Sequence, residues 1–399
     1  MSKPAHVHPG DLHGIARLAA DATSAVTDIV EAMHEAVIWP PFLRSFQPSG
    51  RTGGISGLVY SGVRGVAGLV GGGLDLAFAP LGPLLGERAS TPERDTMVSV
   101  VNGVLGDHLA ETGNPLALSM ELRRGGKRLP LERSSLGAAL PRRSSRVVVF
   151  LHGLCGTDAQ WKRSNFDYGM AIERDFGYTP VYARYNSGLH ISTNGRLLSG
   201  VLDALVREWP GGVDELLLVG HSMGGLVARS AFEVGSGWTS RVRRMVFLGA
   251  PHHGAPLERG GLWFQEILGV SRYVAPFQRL GRLRSAGITD LRHGNLLDED
   301  WQGHDRFAHP HDLRRPLRLP GGVDCLAVAA TTGERPGDIR DRLVGDGLVP
   351  VASALGRHRE PDRDLGLHPE RQLIVYRTHH MGLLGSSEIY ERMGSWLTA

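Results

Sequence analysis

Residues 220–224 read Gly-His-Ser-Met-Gly, a serine at G-x-S-x-G spacing. A serine hydroxyl is a weak nucleophile, so chemistry there needs a neighbouring base, and the base needs an acid to orient it. The flanks sharpen the pattern. Leu216, Leu217, Leu218 and Val219 form a short apolar run, the signature of a strand buried on both faces. After the motif, GLVARSAFEV carries small and apolar residues at helical spacing. A strand, a sharp turn and a helix would hold Ser222 clear of its neighbours, and a turn that tight needs glycine on either side.

Partners of the right type follow in the order acid, then histidine. Asp346 stands between Gly345 and Gly347, downstream of the apolar run VDCLAVAATT, with Glu334, Asp338 and Asp341 as competitors. His379 and His380 follow the last apolar run, RQLIVYRT. Adjacent residues in an extended loop point apart, so only one of the two can reach Ser222. A tetrahedral intermediate also needs N–H donors for its oxyanion. Met223, next after the serine, supplies one, and Leu154 in the stretch FLHGLCGTD supplies the second. Cys155 is an alternative nucleophile, but it lacks the strand–turn–helix setting. His304, His309 and His311, with Asp305 and Asp312, are metal-ligating types at a spacing that matches no strong pattern. We read them as a polar loop and expect no metal and no cofactor.

The elements that must position these residues begin at Arg146. Apolar strand-like runs alternate with helical patterns: VVVFLHG, DYGMAIERDFG, TPVYARY, NGRLLSGVLDALVREW, ELLLVG, RVRRMVFLGAP, VDCLAVAATT and RQLIVYRT. This alternation predicts an α/β fold with a mostly parallel sheet, right-handed crossovers and flanking helices. About 70 residues, 252–322, separate LGAP from VDCLAVAA, too many for a plain loop. They hold short helix-like pieces (LWFQEILG, FQRLGRLRSAG, NLLDEDW) and are expected to form a helical cap over the strand ends where ligands bind.

Upstream, residues 10–39 and 92–112 read as helices, and LALSMELRR-GGK-RLPLE as a hairpin. Ser134–Ser145 reads as a polar linker. We therefore divide the chain into a mainly helical, glycine-rich extension, 1–140, ending in the hairpin, and a catalytic domain, 141–399. The hairpin has a second reading, as the first two strands of the main sheet. Residues 50–86 are rich in glycine, and from Thr52 to Gly86 the only charges are Arg64 and Asp75. Gly71–Gly73, Asp75, Pro80 and Pro83 make them a poor membrane span. Helical packing is the first reading and contact with a lipid surface or partner the second.

Composition excludes little else. The formal net charge is +3, with no basic stripe interleaved with aromatics, which argues against a nucleic-acid partner. Two cysteines, Cys155 and Cys325, make no disulfide framework. The first 22 residues lack an apolar signal core, so the expected address is cytoplasmic, with membrane association through residues 50–86 as an addition. Nothing in the sequence sets an oligomeric state.

Taken together, these stretches resemble the α/β-hydrolases, and within them lipases and serine esterases similar to GPI inositol-deacylase. The resemblance rests on LHGLCGTDAQW (151–161), GLHISTNGRLL (188–198), VGHSMGGLVAR (219–229), LGAPHHGAPLER (248–259), SAGITDLRHGNLLDEDW (285–301), GDGLVPVASAL (345–355) and HHMGLLGSSEIY (379–390). In these relatives the base histidine precedes a leucine pair by the interval seen in His380-Met381-Gly382-Leu383-Leu384, which selects His380 over His379. The resemblance implies a triad of Ser222, Asp346 and His380, with Leu154 and Met223 as oxyanion donors. It implies a serine ester hydrolase acting on a lipid-like or apolar carboxylic ester. The same acyl-enzyme would serve an acyltransferase. A non-catalytic lipid-surface binding protein is the alternative of another class. The resemblance runs from about residue 146 to the end and leaves 1–140 outside it.

Overall fold

The structure is a computed structural model that describes residues 8–38, 54–78, 90–163, 166–255, 285–303, 312, 314–336, 338 and 344–398. In chain order the sheet strands are β1 (Glu121–Arg124), β2 (Lys127–Arg128), β3 (Arg146–Leu151), β4 (Thr179–Arg184), β5 (Glu215–His221), β6 (Val242–Leu248), β7 (Asp324–Ala330) and β8 (Gln372–Val375). The helices are α1 (Pro9–Ile38), α2 (Gly54–Phe78), α3 (Pro92–Glu111), α4 (Arg133–Ala139), α5 (Tyr168–Phe176), α6 (Ile191–Glu208), α7 (Met223–Glu233), α8 (Ala286–His293), α9 (Val351–Ala354) and α10 (Ser387–Thr398).

The strands form one sheet in the order β8-β7-β6-β5-β3-β4-β1-β2. From β3 to β8 all neighbours are parallel, while β1 runs antiparallel to both β4 and β2. The apolar runs explain the layering. Val147–Leu151 and Leu216–Val219 are buried along their whole length, so both faces of the sheet need helices over them. Phe150, Trp161, Tyr168, Val219, Leu326, Met393 and Trp396 belong to one core cluster on this sheet. This is the α/β fold with a mostly parallel sheet and flanking helices expected from the alternation, preceded by helices.

Register sets up the site. His221, the last residue of β5, pairs with Leu248, and Leu151 of β3 pairs with Gly220. The loops after β3 and β5 therefore leave the sheet side by side. Ala330 of β7 likewise pairs with Val375 of β8, so the segments leading to Asp346 and His380 start from adjacent strand ends.

The contacts divide the chain into two compact units, 1–94 with 109–117, and 95–108 with 118–399. Residues 118–140 thus go with the sheet, because Glu121–Arg123 pair with Tyr182–Arg184 of β4. The hairpin takes its second reading, as an extension of the main sheet. The stretch Ser134–Ser145 is only partly a linker. Its first half lies in α4, where Leu136 is fully buried. In the first unit, Asp11 accepts the His8 N–H at the start of α1 and pairs in two bonds with Arg94, at 2.6 and 2.7 Å. α2 covers most of the glycine-rich stretch. Among the described residues no helix is long and apolar enough to cross a membrane. The expected cap pieces at 262–269 and most of 277–287 lie outside the described residues. The described part of that insertion contains α8 and a single 3-10 turn at Asp298–Asp300.

Candidate active site

The chain passes from β5 to α7 at one residue, Ser222, whose backbone lies at φ 53° and ψ −124°. Side-chain-bearing residues enter that region at a cost of about 1–3 kcal/mol. The Ser222 N–H donates to the Leu248 carbonyl at 2.8 Å and ties the turn to β6. The flanking glycines are steric requirements. A Cβ on Gly224 would stand 2.3 Å from the Leu151 carbonyl oxygen, and one on Gly220 would stand 2.4 Å from the Gly225 nitrogen. Without them α7 could not begin directly against the ends of β3 and β5.

Asp346 is fully buried in a turn whose other corners, Gly345 and Gly347, take positive φ. Its Oδ1 accepts the Leu348 and Val349 N–H groups at 3.0 and 2.8 Å. Its Oδ2 lies 2.7 Å from His380 Nδ1. A carboxylate on Nδ1 keeps the ring proton there and leaves Nε2 as the basic nitrogen. That Nε2 is buried and has no hydrogen-bond partner. His379, by contrast, is exposed, as is Glu334, and Asp341 lies outside the described residues.

His221 braces this arrangement from the Ser222 side. Its Nε2 lies 3.4 Å from the His380 carbonyl oxygen and its Nδ1 3.5 Å from Gln160 Nε2. Burial, and then the neighbouring His380, hold its pKa well below the ordinary histidine range, so the ring is neutral. It carries hydrogen bonds and no charge.

The loop after β3 closes the other side. His152 is fully buried, with Nδ1 2.8 Å from the Gly153 carbonyl oxygen and Nε2 accepting the Tyr185 N–H at 3.3 Å. Its ring stacks on Tyr185 at 4.1 Å, and the Tyr185 hydroxyl donates to the His152 carbonyl. This clamp sets Gly153 against the turn at Ser222. A Cβ on Gly153 would lie 3.1 Å from Ser222 Cβ. Leu154 and Cys155 follow, both buried. Burial pushes the Cys155 thiol up to about 12, so it stays protonated and is a poor nucleophile at neutral pH.

A cavity of about 190 Å³ opens between these elements. Its lining includes Gly153–Thr157, Gln160, Arg163, His221, Ser222, His380 and Met381, with Thr96 and Val100 contributed by α3. Ser222, His380 and Leu154 thus share one cavity, Met223 is the next residue after Ser222, and Asp346 sits behind His380. Of the histidine group in the insertion, His304, His309 and His311 lie outside the described residues. Asp312 is engaged by Arg314 at 2.7 Å. Among the described residues no set of three or more His, Cys, Asp and Glu is arranged to hold a metal.

Two contributors escaped the sequence reading. The sequence pattern puts α3 in the extension, yet its Asp95–His108 portion belongs with the sheet unit. The buried Asp290 was also overlooked. It accepts the Ile191 N–H at 2.8 Å, His190 Nδ1 at 3.0 Å and Asn295 Nδ2 at 2.9 Å, fastening the start of α6 to α8. A lone Asp inside an apolar helical segment, SAGITDL, was the available signal.

Residues 142–314 match the family model of the PGAP1-like alpha/beta domain. No curated protein sequence matches the chain. Among solved structures, the mature form of a Bacillus licheniformis lipase is similar at TM-score 0.39 and 18% identity, over 63% of this chain and 91% of that one. A thermophilic esterase from Thermogutta terrifontis is similar at TM-score 0.38 and 12% identity, over 64% and 90% of the two chains. Phospholipase PlaB from Legionella pneumophila is similar at TM-score 0.33 and 16% identity, over 52% of this chain and 45% of that one.

Proposed function

We propose that this chain is a serine ester hydrolase that cleaves lipid-like or apolar carboxylic esters through an acyl-enzyme. One observation carries the reading. His380, bonded through Nδ1 to a buried carboxylate and left with an unpartnered Nε2, lines the same cavity as a serine held on a strained turn. Ser222 Oγ attacks the ester carbonyl carbon while His380 Nε2 takes its proton. Asp346 keeps the imidazole oriented and stabilises the imidazolium. The Leu154 and Met223 N–H groups hold the oxyanion, at the loop pressed against the Ser222 turn and at the first residue of α7. His380 returns the proton to the leaving alcohol. Water then repeats the sequence on the acyl-enzyme, and no cofactor enters.

Val100, Leu154, Ala159 and Met381 on the cavity wall support an apolar substrate portion, and the match to a PGAP1-like domain agrees with ester chemistry. On α2, Leu58, Val59, Val66 and Leu69 are each more than half exposed, which supports contact with a lipid surface. The test is labelling by a fluorophosphonate together with hydrolysis of p-nitrophenyl esters. The wild type and His379→Ala should label and turn over, whereas Ser222→Ala and His380→Ala should not. Unchanged turnover in Ser222→Ala would end the reading, and loss in His379→Ala with retention in His380→Ala would reassign the base.

A further inference from the structure

Arg163 is the permanently charged side chain on the wall of the Ser222–His380 cavity, among the described residues. It stands in a short ribbon where Lys162–Arg163 pair antiparallel with Phe166–Asp167. The ribbon follows Trp161, which is almost wholly buried, so the backbone that carries the guanidinium is anchored. The side chain itself is half-buried and forms no hydrogen bond or ion pair with the described residues. The two aspartates that flank the ribbon in sequence bond to other groups. Asp158 receives Arg123 at 2.7 Å, and Asp167 accepts the Met170 N–H at the start of α5. The cavity lining holds no carboxylate among the described residues.

A partly desolvated guanidinium on an anchored backbone, with no ion pair to the described residues, offers two parallel N–H donors to a planar or tetrahedral anion. The partial shielding from water strengthens that attraction over its value at an open surface. We propose that Arg163 determines specificity by receiving an anionic group, a carboxylate or a phosphate, carried on the same molecule as the scissile ester. This rests on the hydrolase reading and narrows its substrate class to acidic esters with an apolar acyl portion.

Two matched substrate pairs separate the sources of the anion. A 1-acylglycerol and its 3-phosphate differ by a phosphate on the alcohol side, and p-nitrophenyl pentanoate and p-nitrophenyl hemiglutarate by a carboxylate on the acyl side. The wild type should favour the anionic member of at least one pair in kcat/KM by roughly 10- to 100-fold, the value of a hydrogen bond to a charged group. That preference should shrink with added salt. R163Q should abolish the preference, mainly through KM, while neutral esters stay within about twofold of wild type, and R163K should restore part of it. A preference that survives in R163Q, or equal kcat/KM for both members of each pair in the wild type, overturns the assignment and leaves the hydrolase reading intact. A wild type that cleaves neither neutral nor anionic esters overturns the hydrolase reading, and the specificity with it.

Discussion

His380 is joined to Asp346 twice, through Nδ1 and Oδ2 at 2.7 Å and through the His380 N–H and the Asp346 carbonyl at 3.0 Å. The second bond sets the backbone, so the ring meets the carboxylate wherever the side chain at 346 is an acceptor. Substitution can therefore separate chemistry from structure. Asp346→Asn keeps an oxygen for the Leu348 and Val349 N–H groups but turns an NH2 toward Nδ1, which favours the wrong imidazole tautomer. Turnover should fall by about 10⁴-fold with little loss of stability. Asp346→Ala also strands two buried N–H donors and should lose about 1–3 kcal/mol for each. Parallel ester assays and thermal melts distinguish the two, and equal melting losses in both variants would contradict this division.

Ser222 carries backbone strain that the proposed chemistry uses and stability does not need. At φ 53° and ψ −124°, glycine is the residue with no steric penalty. Ser222→Ala should lose about a millionfold in kcat and melt near the wild type. Ser222→Gly should be equally inactive and more stable by about 1 kcal/mol, the strain relief less the added freedom of the unfolded chain. A chemical denaturation series on the three proteins checks the order, and a less stable glycine variant would show that the turn is not strained.

Much of this arrangement was legible in the sequence because the elements that build it are locally encoded. Leu216–Val219 read as a strand buried on both faces, and the chain order of Ser222, Asp346 and His380 follows the order of the strands that carry them. The choice between His379 and His380 was less accessible, since both follow the same strand. Burial separates them, and burial depends on Leu383 and Leu384 packing into the core. What the sequence did not display arises from tertiary contact. Thr96 and Val100 reach the cavity from a helix whose pattern reads as plain packing, and Arg163 reads as one arginine among many. The hairpin 121–128 was ambiguous for the same reason, as its partner strand lies more than fifty residues downstream.

Gly153 and Gly224 both lie close to Ser222, but they meet different obstacles. A Cβ at 224 would strike the Leu151 and His152 carbonyl oxygens at 2.3 and 2.7 Å, which are backbone atoms that cannot yield. Gly224→Ala should misplace the start of α7 and cost several times the effect of an ordinary surface change, on the order of 3 kcal/mol or more. At 153 the nearest atoms are Ser222 Cβ at 3.1 Å and His221 Nδ1 at 3.2 Å, where a few tenths of an ångström suffice. Gly153→Ala should fold and lose roughly 10- to 100-fold in kcat, through displacement of the serine and the Leu154 N–H. Melting temperature and kcat measured on both variants test the contrast. An active Gly224→Ala of normal stability would rule out the close approach.

His152 makes stability depend on pH. Burial lowers its pKa from 6.5 to about 4, and burial lowers His221 in the same direction. Between those limits the unfolded chain binds more protons than the folded one, so unfolding free energy rises with pH through that window. The stability is fully present above pH 6.5 and is lost as the pH falls toward 4. For His152 alone the difference is worth about 3 kcal/mol at the acid end. The melting temperature should be flat above neutrality and decline steeply in mild acid. H152Q, which keeps a donor for the Gly153 carbonyl but no titrating group, should start lower at pH 8 and decline less. Melts at half-unit intervals decide it, and parallel curves for wild type and H152Q would place the acid sensitivity elsewhere.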